Sequence, residues 1–123
     1  MKIIKTSEAT DAALDWLVAK AKGISNIDCL GVAYVPKLGE EHFTVPFRPS
    51  TDWAQGGPII EREGIQLSGW GSRWEAKLYW SKAAQGGPKR YWNMTGPNPL
   101  IAAMRALVAS KLGDTVEVPE ELT

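Results

Sequence analysis

The sequence is poor in the residues that most often do chemistry. Its 123 residues include one cysteine, Cys29, and one histidine, His42. A single cysteine excludes an internal disulfide framework and any zinc site built on several thiolates. Net charge is absent as well: 14 Lys and Arg balance 14 Asp and Glu, and no dense basic stripe marks a double-stranded DNA binder. No apolar run approaches the roughly 18 residues of a membrane span. Met1-Lys-Ile-Ile-Lys5 has no apolar stretch of signal-peptide length, so no secretory signal is expected. GxSxG, HExxH, P-loop and GxGxxG patterns are all missing. A Cys29/His42 nucleophile pair is formally available, but nothing places the two together. Cys29 lies in an apolar stretch that suits a buried, inert thiol. Asp52, Glu61 and Glu63 are oxygen donors of the kind a metal takes, yet carboxylates on a polar helix face are ordinarily solvated. The sequence therefore leads us to expect no catalytic residue, no metal and no cofactor, in a reduced cytoplasmic setting.

What is present is an ordinary globular balance, with 44% hydrophobic residues. One domain over 1–123 is expected, with a core burying roughly 65% of the unfolded chain's surface. Charge is uneven along it. All 14 basic residues lie in 1–113, against 10 acidic ones, while 114–123 holds Asp114, Glu117, Glu120 and Glu121 without a basic partner. This end reads as a solvated acidic tail, or as one that folds over a basic surface or repels nucleic acid.

The pattern predicts an α+β fold, with a small antiparallel sheet packed against an N-terminal and a C-terminal helix. Lys2 to Lys5 reads as a strand. Thr10 as cap, apolar Ala13, Leu14, Leu17, Val18 and Ala21, and then Gly23 predict a helix over 11–22. Residues 24–49 read as an irregular excursion, with a strand over Cys29–Val35 and an edge strand over Glu40–Pro46. Pro58 suits the first position of a second helix ending at Gly64. Strands follow over Ile65–Ser68 and Trp74–Trp80, and the latter pairs with Lys89–Thr95 through Gln85-Gly-Gly-Pro88. Asn98, Pro99 and Gly113 bracket a last helix. That helix is apolar nearly all round, with only Arg105, Ser110 and Lys111 polar. Such a helix is either central or covered by a second copy, and a homodimer is one way to cover its alanine-rich face.

Two constellations suggest binding. Ala54-Gln-Gly-Gly-Pro58 recurs as Ala84-Gln-Gly-Gly-Pro88. Paired glycines allow a ligand close to the backbone, and at the first copy they would precede a helix N-terminus, where free N–H groups attract anions. Both copies also suit plain turns. The second is aromatic: Trp70, Trp74, Trp80 and Trp92, with Tyr79 and Tyr91, interleave with Arg73, Lys77, Lys82, Lys89 and Arg90. Rings beside cations suit stacked bases with phosphates, although large aromatics also fill cores. Adjacent Tyr91 and Trp92 must face opposite sides of a strand.

Ser50-Thr-Asp-Trp-Ala-Gln-Gly-Gly-Pro-Ile-Ile-Glu-Arg-Glu-Gly-Ile65 resembles the signature of the NinX-like proteins of tailed phages and prophages, a family of unknown function. Thr6-Ser-Glu8, Ala13-Leu-Asp-Trp16, the stretch from Pro99 to Gly113 and Val116 to Glu121 fit as well. Residues 66–95 fit less closely. The resemblance implies a small accessory protein made in the cytoplasm of an infected bacterium, and it carries over no catalytic residue. The expected function is binding without catalysis of a small anionic, nucleotide-like ligand, by analogy with phage proteins that sequester host immune signals. Gly56 and Gly57 would offer amides, Trp53 a wall, Asp52 and Gln55 polar contacts, and Arg105 a charge from an otherwise apolar helix. An internal salt bridge of Arg105 to Asp52 or Glu61 is the structural alternative. The other functions weighed are a module that inhibits a host protein, a hydrolase using the acidic residues, and a single-strand nucleic acid binder.

Overall fold

The computed structural model of the chain describes residues 1–37, 39–79 and 91–122. Trp80, Lys82, the second Gln-Gly-Gly-Pro copy, Lys89 and Arg90 lie outside the described residues. Three helices and seven strands form among those described: β1 (Lys2–Lys5), α1 (Asp11–Ala21), β2 (Tyr34–Lys37), β3 (Glu40–Pro46), α2 (Trp53–Glu63), β4 (Gln66–Trp70), β5 (Arg73–Tyr79), β6 (Tyr91–Gly96), α3 (Pro99–Leu112) and β7 (Thr115–Val118). The class is α+β, as the pattern predicted. The strands make three small antiparallel sheets: β1 with β7, β2 with β3, and β4-β5-β6.

α3 is the centre. Asn98 caps it by accepting from the Ile101 amide at 2.9 Å, and Pro99 opens it without wasting a donor. Every residue from Leu100 to Ala109 is buried. The β4-β5-β6 sheet, α1 and α2 all pack on it. Its apolar faces are thus covered by the chain itself, and the surplus surface from which the sequence suggested a homodimer is used internally. Met104, Leu107 and Val108 meet Leu14, Leu17 and Val18 of α1 in one core. Burying side chains of this size contributes roughly 1.5–3 kcal/mol each.

The sheet divides its side chains by the period of two. Leu67, Trp74, Ala76, Leu78, Trp92 and Met94 turn towards α3. Trp70, Arg73, Glu75, Lys77, Tyr79 and Tyr91 lie on the opposite face, so Tyr91 and Trp92 do point to opposite sides.

Three expectations need correction. The acidic end is not a free tail: Thr115-Val-Glu-Val118 alternates, buries Val116 and Val118, and pairs with β1 in the register Ile4↔Val116. Glu117 stays exposed between the two inward valines, so pairing with the distant N-terminus costs it no solvation. Residues 24–49 are less irregular than expected, because β2 and β3 form a hairpin. Finally, the expected strand at Cys29 is a turn, and Cys29 is exposed. Its cause is Asp28, whose Oδ1 accepts from the amides of Leu30 and Val32, both at 2.9 Å. A side chain that captures nearby amides competes with strand pairing. The same amides, Val32 first, hold the Asp28 carboxyl below its ordinary value.

Candidate functional site

The segment from Pro46 to Asp52 crosses between α1, α2 and the β2–β3 hairpin. Its backbone is tied down by side chains from both helices. Gln55 of α2 binds it like a short strand: its Nε2 donates to the Pro46 carbonyl at 2.9 Å, and its Oε1 accepts from the Arg48 amide at 2.5 Å. Asp15 of α1 accepts from the Ser50 amide at 2.9 Å. Asp52 caps α2 by accepting from the Ala54 amide, also at 2.9 Å.

Two cavities flank this segment. The larger is a groove of about 770 Å³ between the hairpin and α2. Its floor is apolar, from Ile24, Val35, Val45, Phe47, Pro58 and Ile59. Lys22, Lys37 and Arg48 bring three cations to it, and Asp52 and Gln55 add polar groups. Lys37 also pairs loosely with Glu40 at 3.8 Å. The smaller cavity, about 240 Å³, lies between α1 and the residues before β2 and is walled by Asp11, Asp15, Trp16, Val32, Phe47 and Arg48, among others. Arg48, Phe47 and Thr51 belong to both walls.

The six residues nominated from sequence separate. Asp52 and Gln55 line the groove. Trp53 begins α2 beside them, is 54% exposed and does not line the groove. The diglycine does not precede the helix. α2 begins at Trp53, five residues before Pro58, so both glycines sit inside it. Gly56 is buried and its amide donates to the Asp52 carbonyl at 2.8 Å. Helical geometry likewise turns the Gly57 amide to the Trp53 carbonyl. The amides imagined as an anion cradle are therefore spent in the helix. What the glycines supply is closeness: a Cβ on Gly56 would stand 2.5 Å from the Pro49 carbonyl oxygen and 2.6 Å from a Leu100 methyl. Gly57 also relieves the clash that a proline makes with a preceding Cβ in helical conformation.

Arg105 is elsewhere. Only 8% exposed, it donates from Nε to the Ala9 carbonyl at 2.8 Å and from a terminal nitrogen to the Thr95 carbonyl at 2.7 Å. Neither Asp52 nor Glu61 is within ion-pairing distance of it, so the internal salt bridge does not form. Burial draws the guanidinium's pKa below its usual value. Its two bonds join the turn before α1 to the end of β6, and that role accounts for a charge on an apolar helix.

Sequence reasoning missed Lys22, Lys37, Arg48 and Asp15. The first three carry no local signal, since they border one groove only through the placing of the end of α1, the hairpin and α2 around it. Asp15 did carry one: a carboxylate set between Leu14, Leu17 and Val18 on the buried side of a helix. It is 8% exposed. Burial pushes its carboxyl above the ordinary value, the bonding to Ser50 pulls the other way, and the charge of Asp11 adds to the rise. The folded chain therefore holds this proton more tightly than the unfolded chain. The stabilisation is complete below the ordinary carboxyl value and is lost as pH rises through the raised one. Asp15→Asn should accordingly melt higher than the wild type near neutral pH, with the gap closing on acidification to about pH 4. A lower melting point at neutral pH would show that the ionised carboxylate stabilises the fold instead.

Of the aromatic group, Trp74 and Trp92 pack under the sheet as core. Trp70 is 74% exposed on the outer face. Tyr79 and Tyr91 lie there with ring centroids 5.3 Å apart, and Lys77 Nζ stands 5.5 Å from the Tyr91 ring.

The family model described as Bacteriophage P22, NinX matches residues 5–111. The chain belongs to the NinX family. The match runs from the end of β1 to the last turn of α3, and so includes the whole segment from Pro46 to Asp52 and both cavities beside it. A comparison with curated proteins returned no match. No helix of this NinX-family protein is long and apolar enough to cross a membrane, and no three His, Cys, Asp or Glu side chains gather as a metal would need, both among the described residues.

Proposed function

We propose that this phage protein is a binding protein without catalysis, acting in the host cytoplasm, which holds a small anionic, nucleotide-like ligand in the groove between the hairpin and α2. The observation that supports it is the meeting of Lys22, Lys37 and Arg48 around an apolar floor large enough for a drug-sized molecule. The cations suit phosphate and the floor suits a base. Asp52 borders the groove while its Oδ1 caps α2, and Gln55 keeps the Arg48 backbone in place. The diglycine and Arg105 have no contact role in this reading: Gly56 lets α2 pack closely on Pro49 and Leu100, and Arg105 ties the turn before α1 to the end of β6. Withdrawal of a host nucleotide signal is the activity such a binder would have in an infected cell. Isothermal titration against cyclic and linear nucleotides tests it. Binding is expected with at least one, and the double charge reversal Lys22→Glu, Arg48→Glu should weaken it by about tenfold or more, the size of one lost charged hydrogen bond. No heat with any nucleotide at millimolar concentration would end the reading.

A second reading has its own observation. Trp70, Tyr79 and Tyr91, exposed beside Arg73 and Lys77, resemble a stacking platform for single-stranded nucleic acid. An oligothymidylate in the same titration separates the two. Binding that falls steeply with salt and is lost in Trp70→Ala favours the platform. An inhibitor of a host protein would use the alanine-rich face of α3 and exposed tryptophans; that face is buried, while Trp53 and Trp70 remain exposed.

A further inference from the structure

The groove beside the hairpin has two unlike ends, and the hairpin register fixes which residues stand at each. Lys37 ends β2 at the turn, where it pairs loosely with Glu40. Arg48 belongs to the other end: it follows Phe47, whose amide donates to the Ala33 carbonyl at 2.7 Å. From Ala33 to Lys37 the strand advances roughly 13 Å, at about 3.3 Å per residue. Lys22 lies towards Lys37. Ile27 makes an antiparallel bridge to Ala33, and the Asn26 carbonyl accepts from the Tyr34 amide at 2.8 Å. The chain read back from Ile27 to Lys22 therefore runs beside β2 in the direction of Lys37. One end of the groove thus carries two ammonium groups, and the other carries Arg48 with Thr51, Asp52 and Gln55. Between them the floor is apolar, with Val35 and Val45 paired across the hairpin.

The Arg48 end sets a donor beside an acceptor that do not satisfy each other. The Thr51 and Asp52 amides donate to the Arg48 carbonyl at 3.2 and 2.9 Å, so residues 48–52 make one helical turn. Side chains four apart on such a turn leave on the same side. Arg48 and Asp52 are nevertheless not ion-paired. Among the described residues the Arg48 guanidinium bonds no acceptor, although its charge reaches Asp15. Asp52 spends Oδ1 on the Ala54 amide, which leaves Oδ2 open. Gln55 is not available, since both ends of its amide hold the backbone of Pro46 and Arg48.

A nucleobase edge is the chemistry that uses such a pair. Guanine sets two adjacent donors, its ring N–H and its amino group, beside a carbonyl acceptor. A carboxylate takes the donors and a guanidinium takes the carbonyl. Adenine and cytosine offer the carboxylate one amino group, and uracil offers one N–H between two carbonyls. Size agrees: about 770 Å³ holds on the order of 25 heavy atoms at one water's share of space each, which suits one mononucleotide and not two.

We propose that the groove is specific for a guanine mononucleotide, with the base edge on Asp52 and Arg48 and the phosphates at Lys22 and Lys37. This rests on the reading of the groove as a nucleotide site; it gives two of the three cations to phosphate and the third to the base.

Isothermal titration of the intact protein with the 5′-diphosphates of guanosine, inosine, adenosine, cytidine and uridine, and with guanosine itself, tests this. The guanosine diphosphate is expected to bind tightest. The inosine compound, which lacks only the amino group, should bind about tenfold more weakly, the size of one lost hydrogen bond to a charged group. Asp52→Asn keeps an oxygen to cap α2, so the fold is retained. Its amide donates where the carboxylate accepted, so guanosine diphosphate should bind about tenfold more weakly and xanthosine diphosphate, which has a carbonyl in place of the amino group, more tightly. Lys22→Gln and Lys37→Gln should each weaken the diphosphate severalfold and leave guanosine unchanged. Equal affinity for all five diphosphates, or an unaltered base preference in Asp52→Asn, would overturn the guanine assignment while the nucleotide reading stands. Heat from none of them would end both.

Discussion

Gly56→Ala should lower the unfolding free energy by about 2–3 kcal/mol, while Gly57→Ala, one residue on, should change it by less than about 1 kcal/mol. The difference is a matter of neighbours. A Cβ at Gly56 enters a contact with the Pro49 carbonyl oxygen, which is backbone and cannot swing aside, and with Leu100 at the start of α3. Either α2 moves away from α3 or the turn at Pro49 shifts. At Gly57 the nearest atom to an added Cβ is a Trp53 ring carbon at 3.9 Å, an ordinary contact. There the gain in helix propensity offsets the crowding against Pro58. Urea unfolding of the two variants, at equal slope, measures both. If both variants are as stable as the wild type but lose ligand affinity together, the diglycine contacts ligand after all, and its packing role is wrong.

Arg105→Ala should cost about 3–5 kcal/mol, and Arg105→Lys should recover part of that loss. The alanine leaves the Ala9 and Thr95 carbonyls without their donor and opens a void beside α3. Unmet buried acceptors cost roughly 1–3 kcal/mol each, and the lost stem adds to this. Lysine offers one compact donor head where the guanidinium spans two carbonyls, so it restores one bond at best. Hydrogen exchange locates the damage: the Thr6–Ala9 turn and the end of β6 should lose protection first. An Arg105→Ala protein of wild-type stability that fails to bind nucleotide would return Arg105 to the ligand.

Local order was legible in the sequence where one element carries its own signals. Strand β1, helix α1 within one residue and the cap pair Asn98–Pro99 of α3 were read from periodicity and end residues. So was β3, whose span matched. The start of α2 at Trp53 departs from the pattern for a physical reason. Proline at a first helical turn is the common case, and a proline six residues in is tolerated here because glycine precedes it. Strand β7 was hidden by its charge, since its two inward valines are few and its partner is at the other end of the chain.

The sequence by itself determined the α+β class, the apolar last helix and the family, because these follow from hydrophobic period, capping residues and a contiguous run of matching residues, while only the packing showed that helix to be central. The tertiary structure alone decided which side chains share a site. Asp15 meets Ser50 across 35 residues and Arg105 meets Ala9 across 96. Lys22, Lys37 and Arg48 border one groove only because the end of α1, the hairpin and α2 are placed around it. Such contacts depend on how elements pack in space, and no local pattern of residues encodes the distance between two of them.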